Sequence, residues 1–241
     1  MKLKLADKRQ EAKGTKSFFW EPEKPVKYLP GQYFYFTLPK LNFPDPKGST
    51  RHFSLSSSPT EGVLLRMTTR IREESGYKKT LDSLDIGAEI EAEGPNGTFV
   101  LDESEKGPHV LLAGGIGITP FRSMIKYNLD KNLGTKITLI YSCSIPEEIV
   151  FRQELEGYND LTQSLKLFLT VSQPQNTKSG WTGLTGRIDE SMINKIVPDY
   201  SSLNPTFWLC GPPPMVEAME KVLGKINISS GKVRSEKFTG Y

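Results

Sequence analysis

At 241 residues the chain is long enough to bury one large core or two modest ones. Its 31 basic and 28 acidic residues leave a formal net charge of +3, too small to imply a nucleic-acid partner, and clusters such as Lys2/Lys4 and Lys78-Lys79 read as solvated faces. Two cysteines (Cys143, Cys210) and two histidines (His52, His109) exclude a four-cysteine iron–sulfur centre and a zinc site built from these residue types.

No apolar run reaches the roughly 18 residues of a membrane span. The start, Met1-Lys2-Leu3-Lys4-Leu5, runs into charges without the apolar core of a signal peptide, so the cytoplasm is expected. A reducing cytoplasm argues against a disulfide between Cys143 and Cys210.

Residues 1–104 read as an antiparallel β domain. Strand-like segments near 3–12, 16–20, 32–38, 51–56, 63–71 and 88–93 are separated by Pro, Gly, Asp or Asn, and this spacing predicts a six-stranded barrel. The segment Leu41–Thr50, rich in Pro, Asp and Gly, is expected as an exposed loop, and Tyr77–Leu84 as a short helix capping one barrel end. The polar stretch Leu101–Pro108 marks a domain boundary. Residues 105–241 then alternate apolar runs (110–113, 137–141, 165–171, 207–209) with helical stretches near 120–129, 147–157, 189–196 and 213–226. That alternation predicts an α/β domain with a parallel sheet, whose ligands sit off the carboxyl ends of its strands.

Three stretches carry the chemistry. His109–Ala113 followed by Gly114-Gly115-Ile116-Gly117-Ile118-Thr119-Pro120 reads as a buried strand, a tight turn and a helix start; its spacing is not that of the GxGxxG fingerprint. Glycines let backbone approach a ligand, and the helix start offers free N–H groups to a phosphate. Arg51-His52-Phe53-Ser54-Leu55-Ser56-Ser57 lies upstream and Cys210-Gly211-Pro212-Pro213-Pro214-Met215 downstream.

In that order the three resemble the ferredoxin–NADP reductase family of flavoproteins. Its pattern is Arg-x-Tyr-Ser, Gly-Gly-x-Gly-x-Thr-Pro and Cys-Gly-Pro-Pro-x-Met. The resemblance covers nearly the whole chain, with Phe53 departing from the family's tyrosine. It implies FAD bound by residues 1–104 and NADH or NADPH bound by residues 105–241. Arg51 would pair with the flavin pyrophosphate, where a guanidinium fork suits two oxygens. Phe53 would lie on one flavin face without the tyrosine hydroxyl's hydrogen bond, and Ser54 would place its hydroxyl near the flavin N5. His52 and Thr68 are grouped with these contacts. Glu74–Thr80 resembles a second phosphate contact, with Ser75 as helix cap and Gly76 allowing close approach; Tyr77, Lys78 and Thr80 flank it, and spacing does not say whether Lys78 or Thr80 touches phosphate.

For the nicotinamide nucleotide the resemblance implies Gly115, Gly117, Thr119, Pro120, Ser142, Ser172 and Arg187, with Gly211, Pro212 and Met215 at the last strand end. Cys210 reads either as a small apolar core residue or as the family cysteine that positions the nicotinamide. Glu236 matches the acid before the family's terminal aromatic, or is an exposed charge on a last strand. Phe238 would then be the ring over the flavin, while Tyr241 would extend beyond it toward the adenine. Ser54, Cys210, Glu236 and Phe238 form the catalytic group of this reading. Many NADPH-using relatives carry an arginine after the second serine; here Gln173 follows Ser172, Arg187 compensates in part, and the balance leans to NADH.

The function expected is hydride transfer from NAD(P)H to FAD, then electron transfer to a separate acceptor: a ferredoxin, a flavodoxin or an oxygenase component. A second enzymatic reading is reduction of free flavin, quinone or ferric chelates. A flavin-binding subunit of a larger complex, without nicotinamide oxidation, is the rival of another class. The complete Thr119-Pro120 and Cys210-Gly211-Pro212-Pro213 elements weigh against that rival.

Overall fold

Alternation with period two shapes the first half of the chain. In a computed structural model, which describes residues 1–105, 107–177 and 180–239, β1 (Lys2–Ala12) turns Leu3 and Leu5 inward and Lys2 and Lys4 outward. A turn at Gly14, in the left-handed region (φ +67°), returns the chain into β2 (Thr15–Pro22). With β3 (Tyr33–Thr37), β4 (Thr50–Ser54), β5 (Leu65–Arg70) and β6 (Glu89–Asn96) the sheet order is β4-β3-β6-β1-β2-β5. An antiparallel bridge between Leu55 and Met67 joins the two outer strands and closes the barrel. Helix α1 (Gly76–Ser83) pushes Tyr77 and Leu81 into a core of Trp20, Phe34 and Phe36.

The second sheet is parallel, as its unbroken apolar runs predict. It contains β7 (His109–Gly114), β8 (Ile137–Cys143), β9 (Leu165–Val171), β10 (Leu184–Thr185), β11 (Thr206–Gly211) and β12 (Val233–Lys237), in the order β10-β9-β8-β7-β11-β12. Helices α2 (Ile118–Asp130), α3 (Arg152–Leu161), α4 (Glu190–Ile196), α5 (Tyr200–Leu203) and α6 (Pro213–Lys225) connect them. Strand β11 serves two cores: Trp208 and Cys210 face Phe121 and Leu111, whereas Phe207 and Leu209 face Val216 and Ile193. Phe99 and Leu101 belong to the former, with the Phe99 ring centroid 5.1 Å from that of Trp208.

Two differences from the sequence expectation have physical causes. The helix expected from 147 starts at Arg152, because Pro146–Glu148 closes a single 3-10 turn and Phe151, at φ +59°, breaks the continuation. Strand β10 is only two residues long, too short for a periodicity.

The halves are held together by a buried ionic clamp. Arg122 of α2, 3% exposed, donates to Glu61 through both terminal nitrogens (2.7 and 2.8 Å) and to the Ser56 carbonyl (2.7 Å). Its Nε and Nη2 also reach Glu154 of α3 (2.8 and 2.5 Å), which accepts from Arg66 of β5 at 2.8 Å. The Phe151 ring lies 4.5 Å from the Arg66 guanidinium and 5.5 Å from that of Arg122.

Candidate active site between the two sheets

In the parallel sheet β7 has β8 on one side and β11 on the other, so the chain changes direction there, and ligands of open α/β sheets bind at such a point. Gly114–Thr119 leaves the end of β7 and Cys210–Met215 the end of β11, side by side. A Cβ at Gly117 would stand 2.2 Å from the Cys210 carbonyl oxygen, and one at Gly114 2.1 Å from Met215 Sδ. Glycine is therefore needed at 117, where backbone meets backbone, while at 114 the flexible Met215 side chain fills the space. At Gly115 the need is the backbone itself: φ is +52° and the space beyond is open. Thr119 is 1% exposed, its hydroxyl donating to the Ile116 carbonyl at 3.1 Å.

The barrel brings its own residues to the same cleft. Lys47, Arg51, His52, Phe53, Ser54, Thr68 and Lys78 line one side; Thr119, Phe238 and Thr239 come from the parallel-sheet half. Ser54 is 5% exposed; Thr68 is 2% exposed and shares its hydroxyl with Ser17 and Ser56, each at 2.7 Å. Phe53 packs on Tyr77 with ring centroids 6.0 Å apart. Burial, with Arg72 next in weight, pushes the Lys78 ammonium down to about 8.

Glu236 of β12 stands in register beside Cys210 of β11. Its Oε2 is buried without a hydrogen-bond partner among the described residues, and burial raises the carboxyl to about 7. The Cys210 thiol, wholly buried, is pushed up by burial and then by Glu236, so it stays protonated. The Phe238 amide donates to the Gly211 carbonyl at 3.0 Å, tying the end of β12 to the Cys-Gly-Pro turn. Tyr241 lies outside the described residues.

Ser75 caps α1, accepting from the Lys78 amide at 3.3 Å. The Tyr77 ring is in the barrel core, its hydroxyl donating to the Phe36 carbonyl at 3.1 Å and its face under the Arg51 guanidinium at 5.2 Å. Thr80 is turned inward as well: its hydroxyl accepts from the Asn42 and Phe43 amides at 3.0 and 3.3 Å. His52 stacks outward between Tyr33 and Tyr35 (5.3 and 5.7 Å) while still edging the cleft. Ser142 and Ser172 sit half-buried at the ends of β8 and β9; Gln173 and Arg187 are exposed, as is Pro212. Pro120 is buried in the first turn of α2.

The profile of the oxidoreductase NAD-binding domain matches residues 111–221. The glycine betaine monooxygenase reductase subunit of Chromohalobacter salexigens is 26% identical over 232 residues, 95% of this chain. These matches support the resemblance to the ferredoxin–NADP reductase family. NADH-cytochrome b5 reductase 1 of Aspergillus clavatus is similar at 29% over 193 residues, 78% of this chain. The chain spans 61% of the length of each of these two relatives. The solved cytochrome b5 reductase domain of Ulva prolifera nitrate reductase superposes with a TM-score of 0.83 at 23% identity, covering 98% of this chain and 96% of that one.

Two groups escaped the sequence reading. The loop 41–50 is exposed along most of its length as expected, but Asp45 turns inward, its side chain 4% exposed. The Asp45-Pro46-Lys47-Gly48 turn six residues before Arg51 was its only signal. The Arg122–Glu61–Glu154 clamp joins residues far apart in sequence; an arginine on the buried face of α2 was the sole local hint.

Proposed function

We propose that this ferredoxin–NADP reductase-like chain binds FAD in the cleft between barrel and parallel sheet, takes reducing equivalents from NADH, and passes electrons to a separate acceptor protein. The observation that carries the reading is the convergence of Arg51, Phe53, Ser54, Thr68 and Lys78 from the barrel on Thr119 and Phe238. The residues fit a flavin dinucleotide. Arg51 and Lys78 are cations on one side of the cleft, and the Asp45 carboxylate marks a position where an anion is held by Arg51 and the start of α1 together.

FAD, when bound, supplies the conversion between two-electron and one-electron chemistry. The chain's residues bind, orient and shield. Arg51 neutralises a phosphate as a fixed fork. The Ser54 hydroxyl offers one hydrogen bond from the cleft wall. The Gly115–Gly117 turn and the start of α2 hold the nucleotide phosphates. Phe238 keeps water from the cleft and gives way to the nicotinamide. Below pH 7 the Glu236 carboxyl holds a proton beside the protonated Cys210 thiol.

NADH is favoured because an exposed Gln173 stands at the end of β9, where an arginine would pair with a 2′-phosphate. One relative is named for NADH and cytochrome b5, the other as the reductase subunit of a monooxygenase, and both names support a separate protein as acceptor. Anaerobic titration of the FAD-loaded protein with NADH and with NADPH tests this. Bleaching of flavin absorbance by NADH, at least as readily as by NADPH, is expected. A flavin that neither nucleotide bleaches overturns the proposal.

A further inference from the structure

An acidic side chain stands where the proposed function needs a phosphate. Asp45 Oδ1 pairs with Arg51 Nη2 at 2.6 Å and accepts from the Lys47 amide at 3.0 Å. Its Oδ2 accepts from the Tyr77 amide at 2.9 Å and the Ser75 hydroxyl at 3.1 Å. A guanidinium, a first-turn amide and a cap hydroxyl are the donors that recognise phosphate. The whole loop follows its carboxylate. The Phe43 and Pro44 carbonyl oxygens lie 2.4 and 2.2 Å from where a Cβ on Gly76 would be. Thr80 holds the Asn42 and Phe43 amides, and the Lys79 ammonium lies 4.6 Å from the centroid of the Phe43 ring. Arg51 Nη1 is engaged by the Lys47, Gly48 and Thr50 carbonyls at 2.8, 3.0 and 2.7 Å. Gly76 is thus a glycine because the chain's own loop lies against it.

We propose that Asp45 is an intramolecular competitor for the diphosphate cradle, displaced when a flavin dinucleotide binds and taking the 42–48 loop off α1. The inference rests on the flavin reading given above. A carboxylate serving only to aim Arg51 would need the guanidinium alone. Asp45 also occupies the amide and hydroxyl at the start of α1, and a phosphate and this carboxylate cannot both use them. The apparent affinity for a diphosphate is then reduced by the fraction of molecules whose cradle is open. Four donors on one buried carboxylate, one of them charged, keep that fraction at roughly one in ten or below.

The test is calorimetric titration of flavin-free wild type, Asp45→Asn and Asp45→Ala with FAD and, separately, with ADP, which carries the diphosphate without the flavin. Asp45→Ala should bind both at least about tenfold tighter than wild type, with Asp45→Asn between them. Equal or weaker binding of both by Asp45→Ala overturns the proposal and makes Asp45 a support for Arg51. Tightened ADP binding with no FAD binding by any of the three proteins upholds the competition and defeats the flavin reading. FAD bound equally by all three does the reverse. Hydrogen exchange of residues 42–48 in wild type gives a measurement that needs no variant: FAD or ADP should accelerate it, and unchanged or slowed exchange overturns the proposal.

Discussion

Glu236→Gln should make the protein more stable in mild alkali and leave it unchanged near pH 4.5. Glu236 carries a buried Oε2 without a partner among the described residues, and burial raises its carboxyl from about 4.5 to about 7. Between those values the folded chain keeps a proton that the unfolded chain has released. Stability therefore falls as pH rises through that window and is level above it. The interval, at about 1.4 kcal/mol per pH unit, amounts to about 3 kcal/mol, and partial exposure of Glu236 lowers this to roughly 2. Glutamine has the same shape and no charge to desolvate, so the variant escapes the loss. Urea unfolding of both proteins at pH 5 and pH 8.5 measures the difference directly, with the m-value as a check on two-state behaviour. Parallel stability curves, or a variant weaker than wild type at pH 8.5, would refute the burial argument. They would mean that the carboxylate is ionised in the folded state and has a partner.

Arg122→Met should destabilise by roughly 2–3 kcal/mol, because the partly exposed Glu61 loses its cation and Glu154 keeps only Arg66; denaturant melts at neutral pH read the loss. Burial alone would raise Glu154, yet Arg66 and Arg122 hold it down to about 2, so wild type should lose stability as pH falls from about 4.5 toward 2, and Arg122→Met should lose less. Gln173→Arg should improve NADPH use without changing saturated reduction by NADH, seen in parallel anaerobic titrations. Phe238→Ser should tighten nicotinamide nucleotide binding by up to about tenfold, since a stacked ring contributes about 0.5–1.5 kcal/mol; equilibrium binding of NAD followed by the flavin charge-transfer band measures it.

Elements whose signal is local were legible in the sequence. The apolar run 109–113 and the glycines after it dictate a buried strand and a turn, because only unsubstituted backbone nests against Cys210. The barrel strands announced themselves by alternation, as Leu3 and Leu5 do. Thr80 did not. Its place in a helix start suggested a phosphate contact, whereas the Asn42 and Phe43 amides, remote in sequence, claim its hydroxyl. The side chain of Tyr77 was equally illegible, since nothing in its neighbours says that the Phe36 carbonyl waits for its hydroxyl. Asp45 was hidden inside a stretch whose composition is that of an exposed loop, and most of that loop is exposed.

The clamp around Arg122 bears on how the cleft keeps its width. Ser56 and Ser57 follow β4 by two and three residues, and Arg122 and Ser123 follow Thr119 by three and four. Arg122 donates to the Ser56 carbonyl and Ser123 to the Ser57 carbonyl, each at 2.7 Å, so the strand bearing Ser54 and the helix bearing Thr119 are bonded within one turn of both. Arg66, two residues before Thr68, enters the same network through Glu154. A shift of either half would have to break charge-assisted bonds in a region closed to water, where each is costly to lose. The two faces of the cleft are therefore fixed relative to each other, and room for a nicotinamide must come from side chains. Of the residues lining the parallel-sheet side, Thr119 is held inside α2, while Phe238 lies past the end of β12 with its amide on the Gly211 carbonyl. Phe238 lies beyond β12 and is half-buried against the core, so its replacement is expected to alter nucleotide affinity more than stability.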